Sequence, residues 1–151
     1  MSDAVDNPGG DHMPPKPIAS MLESAAFMLV ARIVLVVTFL IPGILQGVQF
    51  QTSLGDFSHF HINPAPAFVV LSIVTLVAGS VLVIIGGKLT WLGAGALGVY
   101  TGLTILIVHN FWTMQGADAV NEQHTALEHI SLIGGLLLVA AIEQRRAGRV
   151  R

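Results

Sequence analysis

Two short stretches of this chain place histidine beside residues that can bind a ligand or relay a proton. His109 and Asn110 precede Trp112 near the end of one long apolar run. Glu128 is followed directly by His129 near the start of the next run. A carboxylate beside an imidazole holds one histidine tautomer, which suits proton transfer, binding of a quinone carbonyl or orientation of a metal ligand. These five residues form the predicted ligand-binding site.

A structural interpretation of the same residues stays open. Polar side chains at a helix end can satisfy one another and interfacial water, and Trp112 is typical of the aromatic belt at a membrane surface. His59, His61 and His124 are predicted to lie in loops, where the alternate spacing of His59 and His61 suits one side of a strand. A quinone is the favoured ligand, and a haem or metal ion at these histidines is less favoured because no ligand spacing is specific.

The composition shows what kind of element must hold these side chains. The chain has 151 residues, of which 53% are hydrophobic and only 11% charged, and its mean hydropathy is +0.74. Such a chain is predicted to be a membrane protein in contact with the lipid bilayer, and nothing in it indicates a nucleic-acid partner. It has no cysteine, so its own residues cannot form a disulfide, an iron–sulfur cluster or a zinc–thiolate site. A redox role would require a borrowed cofactor.

Four apolar runs are long enough to cross a hydrocarbon layer that needs about 20 helical residues. They cover residues 25–50, 66–85, 89–112 and 126–142. The predicted fold is all-α, an integral membrane four-helix bundle in a domain of residues 21–144. A disordered tail precedes it at residues 1–20, and a basic tail follows it at residues 145–151. The missing amide hydrogen of Pro42 is expected to kink or loosen the first span.

The positions of the basic residues predict the orientation of the bundle. They fall before or early in the first span, between the second and third spans, and after the fourth: Lys16, Arg32, Lys88, Arg145, Arg146, Arg149 and Arg151. Short loops rich in lysine and arginine stay in the cytoplasm, so both termini are predicted to be cytoplasmic. Residues 51–65 and 113–125 then form outer loops, and His109 can meet Glu128 and His129 at the outer end of the bundle.

Two further residue patterns give structural expectations. Arg32 is expected to extend to the cytoplasmic headgroups, with an acidic lipid head or Glu23 as the less favoured partner. Ala94, Gly98 and Gly102 recur every four residues and predict a stripe along which another helix packs, within the bundle or between protomers.

Several segments together resemble the DoxX family of small four-span membrane proteins. They are Ala31-Arg32-Ile33-Val34, Phe39-Leu40-Ile41-Pro42-Gly43, His109-Asn110-Phe111-Trp112 and Ser131-Leu132-Ile133-Gly134-Gly135-Leu136-Leu137, and the similarity extends over residues 31–141. The resemblance implies a multi-pass protein of the bacterial inner membrane, related to a subunit of a quinone-linked thiosulfate-oxidising system. This chain departs from the family at two places. Gln46 stands where members often carry lysine, and the second span offers Ser72, Thr75 and Ser80 where members often carry an acidic residue.

Three functions are compatible with these features. The first is a membrane subunit of a quinone-linked respiratory system that holds a quinone or passes protons at the outer site, while a partner supplies the redox centre. The second is a non-catalytic structural or assembly subunit of a larger respiratory complex, or a homo-oligomer. A small transporter ranks third, because four spans without a buried charged pathway offer little to move a solute.

The predicted orientation can be tested with a reporter fused to the carboxyl terminus. An alkaline phosphatase fusion should be inactive and a fluorescent-protein fusion bright, because the positive charges hold this end in the cytoplasm. The opposite pattern would place the histidines on the cytoplasmic side and contradict the outer site.

Overall fold

The computed structural model describes residues 14–149, and within them the secondary structure is helical. The six α-helices are α1 (Lys16–Glu23), α2 (Ala25–Val48), α3 (Phe50–His59), α4 (Ala65–Ile85), α5 (Thr90–Ile107) and α6 (Gly116–Arg149). Four of them, α2, α4, α5 and α6, are long and apolar enough to cross a membrane. The predicted all-α fold with four spans is therefore confirmed.

The helix bounds differ from the prediction mainly outside the spans. The first thirteen residues lie outside the described part of the chain, but the predicted disordered tail ends in helix α1, which begins at Lys16. The Ser24 hydroxyl accepts a hydrogen bond from the Phe27 amide at 3.1 Å and so caps α2, separating it from α1. At the other end, α6 continues through Arg149 into the predicted basic tail.

Both predicted outer loops are partly helical. Most of residues 51–65 belongs to α3, which follows α2 after a break at Gln49, and α3 ends at His59. His59 and His61 therefore do not share the side of a strand. In the second loop, α6 begins at Gly116, ten residues before the predicted start of the fourth span. Gly116 has a φ of +67°, a left-handed backbone conformation that glycine adopts without strain.

The spans pack in the order α2, α4, α5 and α6, whereas α2 and α6 approach each other less closely. Buried Val36, Leu76, Leu97 and Leu136 contribute one core residue from each of the four helices. The spans run antiparallel to their neighbours in sequence. We call the end that contains Arg32 and Lys88 the basic end, and the end that contains His109 and His129 the histidine end.

Small residues do bring α4 and α5 together, but at positions other than those predicted. A Cβ added to Gly93 would lie 2.7 Å from the backbone oxygen of Gly79, so the two backbones are in close contact there. Added Cβ atoms at Gly98 and Gly102 would meet nothing within 4 Å. The prediction that a neighbouring helix packs on Gly98 and Gly102 is therefore wrong within the bundle, because these glycines do not lie where α4 contacts α5. Ala94, the third residue of the predicted stripe, is buried.

A charged pair links the first and last spans at the basic end. Arg32 Nη2 lies 3.0 Å from Glu143 Oε1, and the two side chains are only 11% and 7% exposed. Arg32 Nη1 also donates to the Ile84 carbonyl at 3.2 Å, and the Gly87 amide donates to Glu143 Oε2 at 2.8 Å. The expectation that Arg32 extends to the headgroups was wrong, because a buried carboxylate lies within its reach.

The turn between α4 and α5 leaves room for the side chains of this charged pair. Gly86 has a φ of +79°, and a Cβ there would overlap the guanidinium group of Arg32. A side chain at position 86 would therefore strain the backbone and displace the arginine. Both glycines of this turn therefore contribute to binding the charged pair, Gly86 by leaving room for Arg32 and Gly87 by its amide hydrogen bond to Glu143.

Replacing one residue of the charged pair should destabilise the protein more than replacing both residues. Glu143→Gln leaves Arg32 buried without a counter-charge, which we expect to lower the free energy of unfolding by about 3 kcal/mol. Replacing both residues by leucine should recover much of that loss, since no buried charge then remains. Thermal unfolding in detergent measures the effect, with the exposed Glu128→Gln as the matched control. Equal melting temperatures for Glu143→Gln and Glu128→Gln would contradict the pairing.

Candidate functional site

The histidine end is built by a short connection between α5 and α6. The α5 helix ends at Ile107, a 3₁₀ turn covers Phe111–Thr113, and α6 begins at Gly116. Because the connection is short, His109 lies against the first turns of α6 rather than beside its middle.

One face of α6 carries the side chains that meet His109. Glu122, Ala126 and His129 are spaced at i, i+4 and i+7, which places them on the same side of a helix. Ala126 is almost fully buried, so this face is the one that packs against the bundle.

His109 is bound by Glu122. Its Nδ1 lies 2.6 Å from Glu122 Oε2, and the side chains are 18% and 34% exposed. A carboxylate at this distance accepts a hydrogen bond from Nδ1–H, which leaves Nε2 as the ring nitrogen available to a ligand.

His129 has the same arrangement with a backbone partner. Its Nδ1 lies 2.8 Å from the Thr125 carbonyl oxygen, which can only accept, so the proton lies on Nδ1. The centroids of the His109 and His129 rings are 4.8 Å apart, with an angle of 56° between the ring planes. The two imidazoles therefore form a neighbouring pair in which both Nδ1 atoms have partners.

Both imidazoles line a central cavity of about 190 Å³ among the four spans. Thr38 and Pro42 of α2, Leu76 of α4 and Tyr100 of α5 contribute to the same wall. Since Pro42 has no amide hydrogen, the Thr38 carbonyl has no donor four residues later in the helix, although α2 continues through this point. The cavity is thus apolar over most of its surface, with its polar groups near the histidine end.

Glu128 differs from its expected placement. It is exposed, whereas the neighbouring His129 is half-buried, because successive residues of a helix point about 100° apart. Glu122, one and a half turns earlier, provides the carboxylate that contacts His109. His124, which was predicted to lie in a loop, is in α6, four residues before Glu128 and exposed like it.

Asn110 and Trp112 lie beside the histidine pair without lining the cavity. The Asn110 carbonyl accepts hydrogen bonds from the Thr113 amide and the Thr113 hydroxyl, both at 2.9 Å, and so holds the 3₁₀ turn. Trp112 is 54% exposed and packs edge-on against Phe111, with ring centroids 5.2 Å apart. These contacts agree with the aromatic-belt interpretation of Trp112.

Among the residues that the structure describes, the other histidines do not join the pair. His59, His61 and His124 are exposed. Between residues 14 and 149, no three histidine or acidic side chains lie close enough together to hold a metal ion.

A second polar cluster links three spans away from the histidine pair. Ser72 Oγ lies 2.8 Å from Gln46 Oε1 and 3.0 Å from Tyr100 Oη. The sequence had drawn attention to Gln46 and Ser72 as separate departures from the DoxX pattern, but not to Tyr100. The fold brings the first two into direct contact, so a neutral hydrogen bond joins Gln46 to one of the three hydroxyl residues of the second span.

The contact between His109 and Glu122 predicts an energetic coupling. In a double-mutant cycle with His109→Ala and Glu122→Ala, we expect a coupling of about 1 kcal/mol in unfolding free energy, because the two groups share a hydrogen bond. The matched cycle with His109→Ala and Glu128→Ala should give a coupling near zero. Chemical unfolding in a mild detergent measures both. A larger coupling to Glu128 would show that α6 is rotated relative to this structure.

The comparisons with known proteins give one match. The sequence model of the DoxX family matches residues 27–110, which is more than half of the chain. His109 and Asn110 fall within the match, whereas Trp112, Glu128 and His129 follow it. No curated protein and no solved structure matches the chain significantly. Taken with the four apolar helices, the match shows that this chain is a multi-pass membrane protein of the DoxX family.

Proposed function

We propose that this protein is the membrane subunit of a quinone-linked electron-transfer system and binds a quinone ring in its central cavity. The observation that carries the proposal is the histidine pair at the cavity wall. His109 and His129 each have Nδ1 engaged by a protein acceptor, which leaves Nε2 of both rings for a ligand. With Nδ1 protonated, each Nε2 carries a lone pair that accepts a hydrogen bond from the ring hydroxyl of a reduced quinone.

The cavity fits a single six-membered ring. Its volume of about 190 Å³ exceeds the roughly 150 Å³ of an apolar cavity that binds benzene. Thr38 and Pro42 line the cavity and are exposed on the outer surface of α2, so a chain attached to the ring can leave between α2 and α6. A lipid-soluble quinone has this combination of a compact ring and an apolar chain.

The residues of this chain supply binding and proton transfer. A bound quinone supplies the two-electron, two-proton redox chemistry. His109 Nε2 would accept one of the two protons from a ring hydroxyl and His129 Nε2 the other, and the Glu122 carboxylate would offset the positive charge that the His109 imidazole then carries. The electrons pass to a flavin, haem or iron–sulfur centre of a partner protein. An iron–sulfur centre would have to belong to the partner, because this chain has no cysteine to hold a cluster.

The proposal includes the membrane in which the protein lies and its orientation there. The protein lies in the bacterial inner membrane with both termini in the cytoplasm, so the histidine end faces the outer side. Protons taken up by His109 are then released on that side. The alternative, a structural or assembly subunit of a larger respiratory complex, assigns no ligand to the cavity.

Quinol binding to purified protein in lipid nanodiscs tests the proposal. A decyl-substituted benzoquinol should bind, and His109→Ala should weaken its affinity about tenfold, because the ring hydroxyl loses its acceptor. His124→Ala removes an exposed histidine and is the matched control, for which we expect unchanged affinity.

The partner can be tested in native membranes. A redox enzyme should co-purify with both wild type and His109→Ala, while its quinone-linked activity should fall only in His109→Ala. Unchanged activity in His109→Ala, with the complex intact, would favour the assembly subunit.

A further inference from the structure

A groove of about 870 Å³ runs along the bilayer-facing side of α4 and α5. Its lining extends along α5 from Trp91 to Ile107, and Phe57 and Phe60 cover it at the histidine end. At 1.5 Å per residue this length is about 24 Å, most of the thickness of the hydrocarbon layer. The shape suits an elongated molecule that lies along the spans.

The floor of this groove carries the polar cluster of Gln46, Ser72 and Tyr100. Ser72 is 3% exposed and lies seven residues into α4 from Ala65, about 10 Å along the helix from its start. The cluster therefore lies within the hydrocarbon layer rather than at the headgroups. Polar side chains at this depth are costly unless they are paired.

The hydrogen-bond directions in the cluster are determined by the donors available. Gln46 Oε1 can only accept, so the Ser72 hydroxyl donates its single proton to Gln46 and accepts from the Tyr100 hydroxyl. The Gln46 amide nitrogen, with two hydrogens, donates to no acceptor in residues 14–149. Gln46 itself lines the groove.

An alkyl chain in the groove would leave this amide without a partner in hydrocarbon, which is unfavourable. The ester carbonyls of a diacyl lipid lie at the headgroup level, farther toward the membrane surface than Ser72. We propose that the groove is a binding site for an elongated lipophilic molecule that carries a carbonyl oxygen inside the hydrocarbon layer. The Gln46 amide donates to that oxygen, and the apolar body lies along α4 and α5.

This site is separate from the central cavity. Tyr100, Thr104 and Val108 line both spaces and form the partition between them, whereas His109 and His129 line only the central cavity. The proposed groove site therefore does not depend on quinone binding in the central cavity. An experiment can contradict either proposal without contradicting the other.

A decyl-substituted benzophenone tests the site, because its ketone is both the hydrogen-bond acceptor and the photoreactive group. In nanodiscs, irradiation of the wild-type protein should label α4 and α5 along the groove, as located by mass spectrometry. Gln46→Met removes the amide donors at similar side-chain length and should reduce this labelling about tenfold.

A steric variant gives a second measurement that does not alter the polar cluster. Gly95 lines the groove, and a Cβ there meets nothing within 4 Å, so Gly95→Leu should fill the groove without disturbing the backbone. Labelling should fall about tenfold, as expected when an apolar pocket loses room for one or two methylene groups. Gly98→Leu, on the same helix but outside the groove, is the matched control and should label like wild type.

Competitors distinguish the sources of the carbonyl. Displacement of the probe by a decyl-substituted quinone would assign a quinone to the groove, and displacement by a long-chain ketone alone would assign another lipophilic carbonyl compound. Equal displacement by an alkane of the same length would overturn the proposal, because the groove would then bind apolar chains without regard to the carbonyl. Labelling that is unchanged in both Gln46→Met and Gly95→Leu would also overturn it.

Discussion

Within a bilayer no water is available to a polar side chain, so each polar group must be paired inside the protein or with a ligand. At the basic end the charged groups meet this requirement through one another, although Arg32 Nε and the hydroxyls of Ser80 and Thr90 are buried there without a partner among residues 14–149. Arg32 bonds to the carboxylate of Glu143 and to the Ile84 carbonyl, and Glu143 also receives the Gly87 amide. These bonds join α2, the α4–α5 turn and α6. They reinforce the contact between α2 and α6, the neighbouring spans that approach each other least closely.

Toward the histidine end the same requirement is met only in part. The imidazoles of His109 and His129 each use one ring nitrogen for a protein partner, and Gln46 uses its oxygen but not its nitrogen. All three side chains line either the central cavity or the groove. These partly used polar groups are located where a small molecule can enter, which supports both proposals, whereas the unpaired atoms of Arg32, Ser80 and Thr90 line neither space.

The parts of the structure that depend on length and hydropathy were predictable, and those that depend on helix rotation were not. Four apolar runs were enough to predict four spans, because a bilayer fixes the length of a helix that crosses it. The choice between Glu122 and Glu128 depended on where α6 begins and which face turns inward. Ala126 and His129 lie on a helix face that also includes Glu122. The spacing of these residues would therefore have identified Glu122 if α6 had been predicted to begin at Gly116.

The pair of Arg32 and Glu143 was harder to predict because the two residues are 111 positions apart. Glu143 lies one residue beyond the predicted end of the fourth span, where an acidic side chain is expected to be solvated. A useful signal was that Arg32, eight residues into α2, needs a counter-charge at the same membrane side. The close approach of Gly79 and Gly93 was also missed, because a repeat every four residues within α5 shows small side chains but not which neighbour they face.

The length of α6 has a mechanical consequence. This helix of 34 residues extends about 51 Å, so it is longer than the hydrocarbon layer is thick. It carries Glu122 near one end and Glu143 near the other, separated by about six turns of an unbroken rod. A twist of this rod about its axis would shift both carboxylates in the same rotational sense, so the contact with His109 and the contact with Arg32 would change together.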